Sequence, residues 1–394
     1  MISWDQPDWA CQPQGRAVLR AVPRRARQAM LWALGLLCAS WALTGVARAD
    51  GPPFISGLSP TTIATTQPQN LDQNPYGIAT VPNSIGLLHR GDLLVSNFND
   101  MANVQGTGTT IVQISPKGNS QSPGSASLFA QINPPALPGS CPGGIGLTTA
   151  LAVTRSGFVI VGSLPTTDGQ LDTAGAGCLL VLDSNGKVVE TIAGGPINGP
   201  WDMTAVDHGL FTTLYVTNVE NGDVATSATP VDKGTVVRIQ LLTIPGVRPV
   251  VLDEDVIATG FPELASSSAV VLGPTGVALS RYGTLYVADT ERNRIAAIPD
   301  AAGRSYPIGG GGITVSSGHA LNAPLGLTLS PNGDILTANG NDGSVVETTP
   351  WGSQVATLDT GYGAGSLFGL TIPPGFDGVY LVDDGSNTLA VLAP

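Results

Sequence analysis

Five residues in this chain, Asn97, Asn218, Asp289, Asn339 and Asp383, each close a short β-prone apolar run and each offer a carboxylate or amide oxygen. Hard oxygens of that kind, gathered roughly six to eight at a time, hold Ca²⁺. The same residue types also hydrogen-bond their own backbone two positions on and end strands as turn formers, so both readings stand open. The histidines offer less: His89 and His208 fall in turns and His319 in a Gly/Ser loop, positions of solvated side chains rather than ligands. No GxSxG, HExxH or P-loop pattern occurs. The Gly309 to Gly312 run lacks the Lys-Ser/Thr and the strand-to-helix context of a phosphate loop and reads as a flexible connector.

The elements that must position these oxygens follow a repeat. In GPTGVALSRYGTLYVADTERNRIAAI (273–298), an apolar run at Val277 to Leu279, a turn around Arg281-Tyr282-Gly283, a second run from Leu285 ending at Asp289 and a third from Ile295 read as three strands. The order recurs from Pro324, where the Asn332-Gly333 pair between apolar runs is a strong hairpin signal. Weaker copies open at Pro75-Tyr76-Gly77, Thr149, Pro200-Trp201-Asp202 and Leu367-Phe368-Gly369. Openings near 75, 149, 200, 274, 324 and 367 leave intervals of about 74, 51, 74, 50 and 43 residues, near the length of a propeller blade, with insertions. No 3.6-period apolar stripe competes, and 51 Gly with 31 Pro disfavour long helices. Small sheets of this kind bury their faces only by packing radially into a closed ring.

The units resemble NHL repeats, whose pattern runs P-x-G-[VI]-A, then G-x-LYVAD, then NxRI; the match is close at 274–298 and fair at 324–347. The resemblance implies an all-β, six-bladed β-propeller over residues 75–394. The chain stops after the third strand of the last unit, and the β-branched TTIATT stretch at 61–66 is expected to supply the missing outer strand, so residues 50–74 form a closing segment. A relative of that group is the gluconolactonase-like family, which Gly199-Pro200-Trp201-Asp202 faintly resembles, with Asn198 where that family has Glu. That likeness implies a divalent cation at the channel mouth polarising a lactone carbonyl. Asp202, Asp289 and Asp383 are then the candidate catalytic carboxylates, and Asn218, Asp289 and Asp383 the candidate metal ligands.

Propeller geometry also brings Tyr76, Trp201 and Phe368 to the face where Asn97 and Asn339 lie, as a ligand-binding surface or as packing between blades. Polar inserts at 101–110, 164–177 and 220–233 crown the same face and suit recognition. The sequence thus favours a binding scaffold for a protein, peptide, glycan or small molecule, with the cation-dependent lactonase-like hydrolase as the alternative.

Residues 1–49 read as a secretory signal peptide: a basic stretch (Arg16 to Arg27), an apolar run from Met30 to Leu43 and an Ala47-Arg48-Ala49 cleavage pattern. Six of the 17 Lys/Arg and two of the 29 Asp/Glu lie there, leaving 11 against 27, or about −16, which argues against nucleic acid as a partner. No second long apolar run implies an integral membrane segment after cleavage. A secreted or periplasmic location makes the remaining pair, Cys141 and Cys178, a candidate disulfide pinning the 164–177 loop, with two unbonded core thiols as the alternative.

Overall fold

The computed structural model describes residues 51–116 and 126–394. The expected signal peptide lies outside them. Among the described residues the chain folds into six antiparallel sheets, each read outward from its innermost strand. Blade one comprises Gln73–Thr80, Leu93–Asn99, Thr110–Ile114 and Ala126–Gln131, and blade two Leu147–Val153, Val159–Ser163, Cys178–Leu182 and Val188–Ala193. Blade three is the largest, with Gly199–His208, Phe211–Val219, Val231–Leu242, Val250–Ser266 and a short Val270–Leu272. Blade four is Pro274–Leu279, Leu285–Asp289, Arg294–Ile298 and Ile313–Ser317; blade five is Pro324–Leu329, Ile335–Asn339, Ser344–Thr348 and Gln354–Asp359.

Blade six joins both ends of the chain. Leu367–Thr371, Val379–Asp383 and Thr388–Ala393 are completed by Ser59–Thr65, which pairs antiparallel with Thr388–Ala393 from Ser59↔Ala393 to Thr65↔Thr388. The expected N-terminal closure is therefore present, and it removes the open edge the last blade would otherwise show. The Phe54 and Ile55 amides anchor the approach, donating to the Glu347 carboxylate at 2.9 and 3.0 Å.

Apolar alternation in the strands supplies the core. Ile160, Leu179 and Val181 of blade two meet Leu214, Val216 and Ile239 of blade three, all fully buried, and similar layers lie between the other neighbours. Each such side chain contributes roughly 1.5–3 kcal/mol by leaving water, which makes interblade packing the main stabilising term. The Gly309 to Gly312 run is less free than its composition suggests: Gly311 N–H donates to the Thr259 carbonyl at 2.8 Å and Arg294 Nη2 donates to the Gly311 carbonyl at 3.0 Å.

Cys141, ahead of the inner strand of blade two, and Cys178, opening its third strand, are disulfide-bonded with Cα atoms 5.4 Å apart. The bond pins the expected loop, whose backbone is also tied by Gly143 N–H to the Ala176 carbonyl at 2.9 Å.

Candidate functional site

The five strand-ending oxygens occupy equivalent places. Asn97, Asn218, Asp289, Asn339 and Asp383 each lie opposite the first residue of their blade's opening, as Pro200 pairs with Asn218, Pro324 with Asn339 and Leu367 with Asp383. Each has its own local partners. Asn218 Oδ1 accepts from the Asn198 and Gly199 amides at 2.8 and 3.0 Å, and its Nδ2 donates to the Pro196 carbonyl at 3.1 Å. Asn339 repeats the staple with the Asn322 amide at 3.0 Å and the Ala320 carbonyl at 2.8 Å. Asn97 Nδ2 donates to the Thr66 carbonyl at 3.1 Å, and Asp383 accepts from the Ser386 hydroxyl.

Asp289, fully buried, faces Arg294 Nε at 2.7 Å and Arg292 Nη1 at 3.6 Å. Burial lifts its pKa above the usual carboxylate range, against the pull of both guanidiniums. Two fixed cations repel a third, so this donor set does not fit Ca²⁺ as arranged. Among the described residues, no group of three or more His, Cys, Asp or Glu side chains is spaced to hold a metal. His89, His208 and His319 are all exposed.

The aromatic candidates do converge. Tyr76 stacks on Phe368 at 3.9 Å between ring centroids and on Phe98 at 4.6 Å, and Trp201 lies 6.4 Å from Phe368. All four are buried, because the inserts fold over them. A hairpin at 266–270, outside the repeat pattern of the sequence, closes the mouth: Tyr76 Oη donates to the Ser268 carbonyl at 3.0 Å and Trp201 Nε1 to the Val271 carbonyl at 3.1 Å. Gln105 of the first insert grips that hairpin twice, donating to the Ser267 carbonyl and accepting from the Val270 amide, both at 2.8 Å. Thr166 of the second insert donates its amide to the Gly106 carbonyl at 3.0 Å. Leu164, Leu171 and Val224 fill the space beneath. The first two inserts and the hairpin thus form one hydrogen-bonded cap over a stacked aromatic plug, and the third insert joins it by packing of Val224.

Below the plug runs a central cavity of about 250 Å³, lined by the inner strands. Its upper waist is narrow because neighbouring inner strands meet backbone to backbone. A Cβ on Gly326 would sit 1.7 Å from the Phe368 carbonyl oxygen, so blade five requires glycine there. Blades one, four and six carry Gly77, Gly276 and Gly369 at the matching position, while blade three carries Asp202. The Asp202 carboxylate accepts from the Met203 amide at 2.7 Å and from the Val277 amide of blade four, and burial pushes its pKa well above the usual range. No Lys, Arg or His is among the residues lining this cavity. Exposure grows away from the plug: Tyr76, Trp201 and Phe368 are buried, whereas Thr80, Thr204, Ala205, Thr328 and Thr371 are half-buried. The channel is closed at the capped end and open at the other.

A second pair of acids sits under the cap in blade three. Glu220, held at a left-handed φ of 63°, faces Glu263, which is fully buried and accepts from the Asn221 amide at 2.9 Å. Both carboxyls are raised to about 8, chiefly by burial, with the charge of Glu263 adding to the rise at Glu220. One oxygen of each has no hydrogen-bond partner among the described residues. The sequence held no local signal for the pair, since the two meet only once the 17-residue strand Val250–Ser266 is in place.

No protein-family model and no curated protein matches this chain. Solved structures do. An aldose sugar dehydrogenase from Streptomyces coelicolor, in its PQQ-bound form, superposes with a TM-score of 0.53 at 16% identity, over 87% of this chain and 99% of that one. A gluconolactonase from Xanthomonas campestris gives 0.50 at 14% identity, over 88% of this chain and 98% of that one. A luciferin-regenerating enzyme gives 0.50 at 12%, over 84% and 95%. These likenesses establish the six-bladed propeller, and at such identities they carry the fold rather than the chemistry.

Proposed function

We propose that this chain is an exported binding propeller, whose capped face is a recognition surface for a protein, peptide or glycan. The observation that carries the reading is the cap itself. Two inserts and the hairpin, from three blades, are hydrogen-bonded into one ordered layer over the channel mouth, and Val224 of the third insert packs beneath it. Ordering long polar loops costs conformational entropy, roughly 1–2 kcal/mol per residue, and ordered surface loops are where recognition concentrates. The outward positions of that layer, including Met101, Ala228 and Thr229, are free to touch a partner. The Cys141–Cys178 disulfide supports a working environment outside a reducing cytosol.

The lactonase-like alternative, with Asp202, Asp289 and Asp383 as catalytic groups, draws only on fold likeness. Retention of peptides or glycans from a library on immobilised protein, lost when the 220–233 insert is shortened and circular dichroism is unchanged, is the expected result. Chelator-sensitive turnover in a panel of lactones and phosphoesters, with a stoichiometric divalent cation in the purified protein, would overturn it.

A further inference from the structure

The central channel is a separate opportunity from the cap, because it is sealed beneath it and opens on the opposite face. Three observations describe what would fit there. The cavity of about 250 Å³ is lined by residues from the inner strands of all six blades. Its closed end holds a single ionisable group, Asp202, at a position where four other blades have glycine. Its remaining polar lining consists of neutral hydroxyls: Thr80, Thr149, Thr204, Thr328 and Thr371. Thr149 is 4% exposed, and its hydroxyl has no hydrogen-bond partner among the described residues. The Thr80 hydroxyl is likewise unpartnered.

Such a site has a definite preference. A carboxylate offers about four lone-pair directions, and Asp202 commits two of them to the Met203 and Val277 amides. Two remain for a donor arriving along the channel. With no fixed cation in the lining, an ionised Asp202 is an uncompensated charge in a low-dielectric tube, and the group that relieves it must be positive and must bring N–H donors. A metal ion would need several further anionic or carbonyl ligands, whereas an ammonium needs three hydrogen-bond acceptors, which Asp202 and nearby hydroxyls can provide. Leu151, Met203, Val277, Leu327 and Leu370 line the cavity beside these groups and suit a methylene chain.

We propose that the channel binds the end of a primary alkylammonium, amine head against Asp202 and aliphatic chain toward the open end. The bound species is an unbranched amine rather than an alcohol or an acid of the same length, since only the amine can neutralise the charge that Asp202 takes on when it ionises.

Residues 50–394 contain two tryptophans, Trp201 beside Asp202 and the exposed Trp351. A Trp351→Phe background therefore makes Trp201 the reporter. Titration with n-hexylammonium, 1-hexanol and hexanoate at one pH should change Trp201 fluorescence saturably for the amine alone. Asp202→Asn should weaken that binding at least about tenfold, the effect of one lost charge-assisted contact. Ala205→Trp, at the half-buried open end, should block it by filling the mouth while Asp202 stays intact. Equal response to 1-hexanol, undiminished amine binding in both variants, or no saturable response in the otherwise wild-type protein would each overturn the assignment. Calorimetry with the same amine checks the two variants if the fluorescence of either is altered, and unfolding midpoints near the parent's confirm that they are folded.

Discussion

The indole N–H of Trp201 donates to the Val271 carbonyl at 3.1 Å, across 70 residues of sequence, and so fastens the inner strand of blade three to the hairpin thrown over the channel mouth by the same blade's outer edge. Trp201→Phe removes that donor and strands a buried carbonyl, an expected loss of about 1–3 kcal/mol in urea unfolding. Tyr76→Phe should cost less, because Ser268 is exposed and its carbonyl can turn to water. Equal losses for the two would mean that the hairpin is not held as described.

Glu220 and Glu263 give the cap a pH dependence. A carboxyl whose pKa rises from its ordinary value of 4.5 to about 8 on folding supports the native state below pH 4.5 and withdraws that support as pH climbs toward 8. Thermal unfolding should therefore show falling stability from pH 5 to pH 8. Glu263→Gln should stabilise the protein at pH 8 by at least about 1.4 kcal/mol, the equivalent of one pKa unit, and the gain should vanish near pH 4.5.

Asp289 tests the oxygen ring. Its partner Arg294 has a side chain only 9% exposed, so Asp289→Ala leaves a buried guanidinium uncompensated, at an expected cost of about 3–5 kcal/mol. Ca²⁺ titration by calorimetry should be the same before and after the change. A loss of cation affinity without a loss of stability would restore the ligand role.

The disulfide closes a 37-residue separation, for which chain entropy gives about 4 kcal/mol of stabilisation. Cys141→Ala with Cys178→Ala should lower the denaturant midpoint accordingly. Alkylation of the unreduced protein spanning residues 50–394 should label neither residue.

Removing residues 50–66 should be more damaging than an ordinary terminal trim, because Ile55 and Leu58 are buried against blades five and six and Ala64 lies in the core shared by blades six and one. At roughly 1.5–3 kcal/mol for each large apolar side chain, a loss of several kcal/mol is expected in denaturant unfolding.

The repeat was legible wherever turn chemistry and apolar runs coincide locally, as at Asn332-Gly333 and along 273–298. The closing strand was legible too, since its β-branched composition answers a missing partner. Contacts across long separations were not. The cover over Tyr76 comes from Ser268, 192 residues away, and nothing near Tyr76 announces it. Asp202 had a subtler signal: once the blades are aligned, it stands in a column of glycines that sterics enforce, and a lone acid in such a column marks a break in the ring's symmetry.

The pairing of Ser59–Thr65 with Thr388–Ala393 sets a timetable as well as a seal. Partners such as Ser59 and Ala393 are 334 residues apart, so a chain emerging from its N-terminus must carry its first strand unpaired until nearly everything else has appeared. Contacts this distant slow folding and leave an edge open in the meantime. A chain kept extended until its last strand has appeared would make that delay harmless.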